Sequence, residues 1–205
     1  MRSLEGFATL TSPPTIFCDM DGCLCDFTKL AMQITQTPTP IPPKKLWSSI
    51  ATYRKIHDGF YTDLEWLGGG EILLKGLEQY YPNLAILTGC PNGGWGGSEK
   101  YSWLASKAVA SDEFKFDGIQ WDDHANSRPG PSDAADDCSS ALRLITCKSK
   151  LKQEFCRPGD VLIDDREDIG RRWEEAGGLF IHYKGGQYEA RSCSHKLMNI
   201  RDVQL

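Results

Sequence analysis

The chain has 205 residues, of which 40% are hydrophobic and 25% are charged, and its formal net charge at pH 7 is −5. This length suggests one domain with a small appended subdomain, and the composition excludes a disordered, collagen-like or coiled-coil chain. The net negative charge contrasts with the excess of Lys and Arg that is typical of nucleic-acid-binding proteins, so we expect no nucleic-acid partner. No apolar run reaches the about 20 residues of a membrane helix, so we expect no membrane partner either.

The eight cysteines are scattered, without the pairs or the His/Cys spacing of a zinc site. A chain of this size can stabilise its own core without disulfides. The N-terminal segment also lacks the apolar block of a secretory signal. We therefore interpret the cysteines as reduced thiols and expect a cytoplasmic protein.

In the first half of the chain, short apolar runs alternate with helical patterns. The apolar runs at 15–19 and 84–88 predict buried strands that end in polar residues. Between them, the proline-rich segment 37–45 interrupts regular structure, because each proline fixes φ and lacks an N–H. The predicted helices of this half cover 27–34, 46–56 and the segment that follows the glycines at 68–70.

The second half continues the alternation. Helices are predicted at 98–109 and 169–176, and strands at 142–146, 160–165 and 179–183. The polar, acidic segment 111–137 is interpreted as an inserted surface excursion. Strands that alternate with helices predict an α/β fold, a Rossmann-like parallel sheet with helices on both faces.

Polar side chains follow the predicted strands where each strand ends. Asp19 and Asp21 follow the first strand, Thr88 ends the second, and Asp164 and Asp165 end the fourth. Ligands of open α/β sheets bind beyond the carboxyl ends of the strands. Four carboxylates at one edge would repel each other unless a cation lay among them, and such hard oxygen ligands suit Mg²⁺. Each motif alone is common in surface turns, so their shared position carries the prediction.

The stretches FCDMDGCL, AILTGCP and VLIDDRED resemble the motifs of the haloacid dehalogenase (HAD) superfamily of phosphotransferases. Within that superfamily, DMDGCLCDF, GFYTDLEWLGGG, SEKYSWL and IDDREDI most resemble the 5'(3')-deoxyribonucleotidase branch. The resemblance implies a HAD-like α/β core, formed by residues 1–23 and 84–205, with the excursion inserted in it. It also implies a small helical cap, formed by residues 24–83, that closes over the site.

The resemblance implies catalytic roles for two carboxylates. Asp19 would be the nucleophile that forms an aspartyl-phosphate. Asp21 would protonate the leaving oxygen and then act as the base that activates water. Thr88, at the end of the second strand, and Gly89, which follows it, would bind the transferring phosphoryl group.

The resemblance also implies a Mg²⁺ site and two phosphate-side lysines. Asp19, Asp164 and the Asp21 backbone carbonyl would hold the ion, and Asp165 would support it. Among Lys148, Lys150 and Lys152, Lys150 best matches the position of the lysine that binds phosphate in this family. Lys100 is either a further phosphate ligand or an exposed helix lysine. These residues and their predicted partners all lie in the core segments.

In the cap, Phe60 and Tyr61 match aromatic residues that stack on the base in the nucleotidases, although they could equally belong to the core of the cap. The glycine-rich loop GCPNGGWGG after Thr88 and the excursion depart from that branch and leave the substrate open. We expect a Mg²⁺-dependent phosphomonoesterase whose partner is a small phosphorylated substrate, with (deoxy)nucleoside monophosphates among the candidates. The alternatives are a phosphatase of a nucleic-acid end or of a protein, and a catalytically silent binding module.

Overall fold

The structure, a computed structural model, describes residues 13–124 and 140–204. In these residues, six strands form a single sheet, and every pairing in it is parallel. The strands are β1 (Ile16–Cys18), β2 (Leu84–Gly89), β3 (Ile119–Asp123), β4 (Leu142–Cys147), β5 (Val161–Asp164) and β6 (Leu179–His182). Their spatial order is β3-β4-β2-β1-β5-β6, which places β1 between β2 and β5.

Helices lie between most consecutive strands of the described residues, as is usual for a parallel sheet, and the connection from β3 to β4 falls largely outside those residues. The α-helices are α1 (Phe27–Thr35), α2 (Pro43–Tyr53), α3 (Gly70–Tyr80), α4 (Trp95–Leu104), α5 (Glu167–Glu175) and α6 (Gln187–Gln204). A π-helical turn (Ala105–Val109) continues α4, and a 3₁₀ helix (Ser149–Phe155) follows β4. None of the helices in the described part is long and apolar enough to span a membrane.

The hydrophobic core lies on both faces of the sheet. Along β1, Ile16 and Cys18 belong to one buried cluster and Phe17 to another, because successive side chains of a strand point to opposite faces. On the second face, Phe17 packs edge-on against Trp173 of α5, with ring centroids 5.2 Å apart. The predicted α/β fold with both faces covered is therefore confirmed.

The helices of the predicted cap segment have different packing partners. α1 packs against α2, whereas α3 packs against α6, which follows the last strand. Leu73, Leu74 and Leu77 of α3 are fully buried in the larger core cluster. The end of the segment 24–83 therefore packs with the α/β core, and the division into core and cap stays a prediction.

One of the six strands, β3, was not predicted from the sequence. The excursion 111–137 was interpreted as a surface segment, but β3 lies within it and pairs with β4 at the edge of the sheet. β3 contains two aspartates and no fully buried residue, so it lacks the apolar run of a central strand. Its polar residues have partners on β4, since Asp122 forms an ion pair with Arg143 at 3.0 Å. The rest of the excursion, from residue 125 onward, lies outside the described residues.

Candidate active site

Two buried carboxylates lie side by side at the carboxyl ends of the central strands. Cys18 of β1 is in register with Ile163 of β5, so Asp19 and Asp164 follow as neighbours. The Asp19 backbone N–H donates to the Ile163 carbonyl at 2.8 Å, which fixes this alignment. Asp164 is fully buried and Asp19 is 5% exposed.

Asp165 joins these two carboxylates. Asp19, Asp164 and Asp165 each offer an oxygen, and these oxygens lie within 4.8 Å of one another. Burial, together with the charges of Asp19 and Asp164, raises the pKa of Asp165 to about 7. Burial and the charge of Asp19 likewise raise the pKa of Asp164. The predicted convergence of carboxylates is therefore present, and its mutual repulsion favours a bound cation.

A buried lysine partly neutralises this cluster. The Lys152 Nζ lies 2.8 Å from Asp19 Oδ1 and 2.7 Å from Asp164 Oδ2, and the side chain is almost completely buried. Burial alone would lower the pKa of the ammonium, but the two carboxylates outweigh it and raise the pKa above its usual value. Lys152 therefore stays charged at neutral pH.

The choice of Lys150 as the phosphate ligand does not agree with this geometry. Residues three apart in a 3₁₀ helix share a face, and Ser149, which lines the site, lies three residues before Lys152. Lys150 points elsewhere, since its side chain is exposed and lines a separate cavity with Lys148. The structure thus brings Lys152, rather than Lys150, to the carboxylates.

A second buried lysine organises the predicted acid–base residue. The Nζ of Lys100, on α4, donates to Asp21 Oδ2 at 2.8 Å, to Thr88 Oγ1 at 2.7 Å and to the Gly89 carbonyl at 2.8 Å. Lys100 is fully buried, so the alternative of an exposed helix lysine is wrong. Burial raises the pKa of Asp21, and Lys100 opposes that effect in part.

The turn after β1 places Asp21 beside the carboxylate cluster. Gly22 has a φ of +78°, a left-handed conformation that favours glycine. A Cβ at this position would lie 2.5 Å from Asp165 Oδ2. The glycine therefore permits both the tight turn and the close approach of Asp165.

Glu99, next to Lys100, is a functional residue that the sequence analysis missed. Its buried carboxylate accepts hydrogen bonds from the backbone N–H groups of Phe60 (2.8 Å) and Tyr61 (3.0 Å), and from Arg54 Nε (2.6 Å). These partners lie about forty residues away along the chain, so no local spacing signals the contact. Glu99 attaches the segment that carries Tyr61 to the helix that carries Lys100.

The two predicted stacking residues have different positions. Phe60 is fully buried and packs edge-on against Phe27 at 5.2 Å between ring centroids, so it belongs to the core. Tyr61 is also buried but lines the site cavity, and Lys100 Nζ lies 4.5 Å from the centre of its ring. Only Tyr61 therefore contributes to the wall of the site.

The site residues surround a cavity of about 310 Å³. Its lining joins the acidic residues of the sheet edge to aromatic residues of the helical segment: Asp19, Asp21, Asp165, Phe27, Trp47 and Tyr61 are among them. Gly89, the last residue of β2, also lines the cavity, whereas Thr88 does not line it and accepts a hydrogen bond from Lys100. Chemically, the candidate nucleophile Asp19 and the candidate acid–base residue Asp21 line the cavity, and a buried lysine contacts each of them.

Comparison with known proteins adds no family to this description. No protein-family model matches the chain, and no curated protein matches it either.

Proposed function

We propose that the chain is a Mg²⁺-dependent phosphomonoesterase that acts on a small organic phosphate through an aspartyl-phosphate on Asp19. The observation that carries the proposal is the convergence of the Asp19, Asp164 and Asp165 carboxylates with Lys152 at the edge of a small cavity. Nucleoside monophosphates are among the candidate substrates. The cytoplasmic location expected from the cysteines stays a prediction.

The residues at the sheet edge fit a magnesium ion. Asp19, Asp164 and Asp165 offer hard oxygen ligands close together, and their mutual repulsion is only partly relieved by Lys152. The backbone carbonyl of Asp21 stays a predicted further ligand. When bound, the ion would neutralise negative charge on the phosphoryl oxygens and orient the substrate.

The side chains can divide the reaction into two steps. In the first, a carboxylate oxygen of Asp19 attacks phosphorus, the bond to the leaving oxygen breaks, and Asp21 gives that oxygen its proton. In the second, Asp21 takes a proton from water, the water oxygen attacks phosphorus, and the bond to Asp19 breaks. Because burial raises the pKa of Asp21, its carboxyl is suited to carry the proton in the first step.

The two buried lysines would act on different partners. Lys152 lies against the nucleophile, where its charge would stabilise the negative charge of the transferring group. Lys100 connects Asp21 to Thr88 and Gly89, so it would orient the acid–base carboxyl toward the substrate. Both ammonium groups are already fixed by hydrogen bonds, which reduces reorganisation during the reaction.

The test is phosphate release from phenyl phosphate and from a panel of nucleoside monophosphates. Each is measured with Mg²⁺, with a chelator, and with the Asp19→Asn variant. Asp58→Asn is the matched control, because Asp58 is exposed and does not line the site. We expect metal-dependent turnover that is lost in Asp19→Asn and kept in the control.

Two other results would contradict the proposal in different ways. Absence of both turnover and Mg²⁺ binding in the folded protein would favour a catalytically silent binding module. Turnover of phosphorylated peptides or nucleic-acid ends, but of no small compound, would favour the macromolecular alternative.

A further inference from the structure

A second, larger cavity of about 670 Å³ adjoins the site cavity. Trp47, Cys90 and Pro91 line both, so the two spaces are contiguous along the loop after β2. None of the residues given catalytic roles above lines the second cavity. A substrate bound at Asp19 can therefore extend into it with its non-reacting part.

The lining of this outer cavity is positively charged, although the whole chain is acidic. Arg54, Lys148 and Lys150 line it, and none of its described lining residues is a carboxylate. Glu99 balances the charge of Arg54 through their 2.6 Å ion pair. Lys148 and Lys150, by contrast, are exposed and have no ion-pair partner among the residues that the structure describes. Within the described part of the chain, the two lysines thus supply positive charge that no carboxylate balances through an ion pair.

Arg54 is fixed at the wall of the cavity rather than free in solvent. Its guanidinium carbon lies 3.9 Å from the ring centre of Trp95, and its Nε is bonded to Glu99. A guanidinium held in this way has little conformational freedom left to lose when it meets an oxyanion. Asn92 adds an amide to the same lining.

The 3₁₀ helix at Ser149–Phe155 explains how one segment brings cations both to the buried carboxylates and to the outer cavity. Lys152 is on the face that meets Asp19 and Asp164, whereas Lys150 is on another face and lines the outer cavity. Lys148 precedes the helix and lines the same space. One short segment after β4 therefore supplies positive charge at two separate positions.

We propose that the substrate carries a second oxyanion, a phosphate or a carboxylate, and that Lys148 and Lys150 bind it in the outer cavity. Arg54 contributes a fixed donor, and Trp47, which is 42% exposed, contacts the part of the substrate between the two anions. This inference rests on the proposed function, because it places the reacting phosphate at Asp19. It narrows the substrate class to small molecules with two anionic ends.

The test compares matched pairs of compounds that differ only in the second anion. Phenyl phosphate is paired with 4-carboxyphenyl phosphate, and adenosine 5'-monophosphate with adenosine 3',5'-bisphosphate. Dissociation constants are measured by calorimetry on Asp19→Asn, and kcat/KM is measured on the unmodified chain. We expect the compound with two anions to bind about tenfold more tightly, which corresponds to about 1.4 kcal/mol.

The double variant Lys148→Met/Lys150→Met keeps the apolar stems of both side chains and removes their charges. In this variant, the ratio of affinities within each pair should fall toward one. Lys115→Met is the control, since Lys115 is exposed and does not line the outer cavity, and it should keep the ratio. A preference confined to the bisphosphate would identify the second anion as a phosphate, and one confined to the carboxyphenyl compound as a carboxylate.

Equal affinities within both pairs, or a preference that survives the double variant, would overturn the inference. Turnover without any such preference would leave the proposed phosphatase in place and remove only the second anion site. Conversely, a preference that depends on the two lysines, without turnover of any compound, would keep the anion site and contradict the phosphatase.

Discussion

Replacing Glu99 with alanine should destabilise the chain far more than a surface substitution does. The variant removes the acceptor for the backbone N–H groups of Phe60 and Tyr61, both of which are buried. It also removes the ion-pair partner of Arg54. No other acceptor is recorded for these two N–H groups in the described part of the chain.

The expected loss follows from the number of groups left without a partner. Each buried N–H without an acceptor costs about 1–3 kcal/mol, so the two together cost about 2–6 kcal/mol. Arg54 adds little to this sum, because its side chain is 30% exposed and can be solvated. Glu99→Gln retains a carbonyl oxygen for both N–H groups but loses the negative charge, so it should cost about 1–2 kcal/mol.

The measurement is the free energy of unfolding from urea denaturation, followed by far-ultraviolet circular dichroism. Glu174→Ala is the control, because Glu174 is exposed on α5 and has no recorded side-chain partner in the described residues. It should stay within about 0.5 kcal/mol of the unmodified chain.

Two results would refute this reasoning. A loss below about 1 kcal/mol for Glu99→Ala would mean that water or another group satisfies the two N–H groups. A Glu99→Gln variant as unstable as Glu99→Ala would mean that charge, rather than hydrogen-bond acceptance, stabilises the segment.

Three further predictions concern the site and its surroundings. Lys152→Met should lower kcat on phenyl phosphate by about a hundredfold or more, whereas Lys150→Met should have a much smaller effect. Similar losses of kcat in the two variants would contradict the role assigned to Lys152. Mg²⁺ should raise the Tm of the unmodified chain in a thermal melt, but not that of Asp164→Asn, and an equal rise in both would argue against this ligand. Burial and a hydrogen bond to Asp63 raise the pKa of Tyr53 from 10.0 to about 12, so the folded state binds the phenolic proton more tightly than the unfolded state. Its stabilisation is complete below pH 10 and is lost as the pH rises toward 12, and Tyr53→Phe should remove one phenolate transition near pH 12 from the ultraviolet titration.

The carboxylate cluster could be predicted from the sequence because each of its aspartates is recognised from the residues next to it. Asp19 and Asp164 each follow a short apolar run, and parallel strands bring their carboxyl ends to one edge. Neither position depends on knowing the rest of the fold. The same is true of the α/β class, which follows from the alternation of apolar strands and helices.

The lysines could not be assigned in the same way. Lys148, Lys150 and Lys152 are close in sequence, and only the 3₁₀ geometry of the segment decides which of them meets Asp19. The sequence pattern around Lys100 is also compatible with an exposed lysine, because lysine is rarely buried without a partner. The partners that allow its burial come from other segments of the chain. Burial of charge thus depends on long-range contacts that residue spacing does not record.

β3 and Glu99 were missed for related reasons. An edge strand with polar residues has no apolar run, so its pattern resembles a loop. Glu99 acts on backbone groups, and any residue type except proline at positions 60 and 61 would offer the same N–H donors. The sequence therefore carries little information about this contact.

The position of β1 in the middle of the sheet has a consequence for biosynthesis. β1 leaves the ribosome before the other five strands, yet one of its two neighbours is β5, which is synthesised only after β2, β3 and β4 and whose Val161 pairs with Ile16. Contacts between such distant residues form slowly, because a long loop must first close. A nascent chain that stops before β5 therefore contains the candidate nucleophile and Lys152 but lacks Asp164 and Asp165, two of the three carboxylates of the cluster.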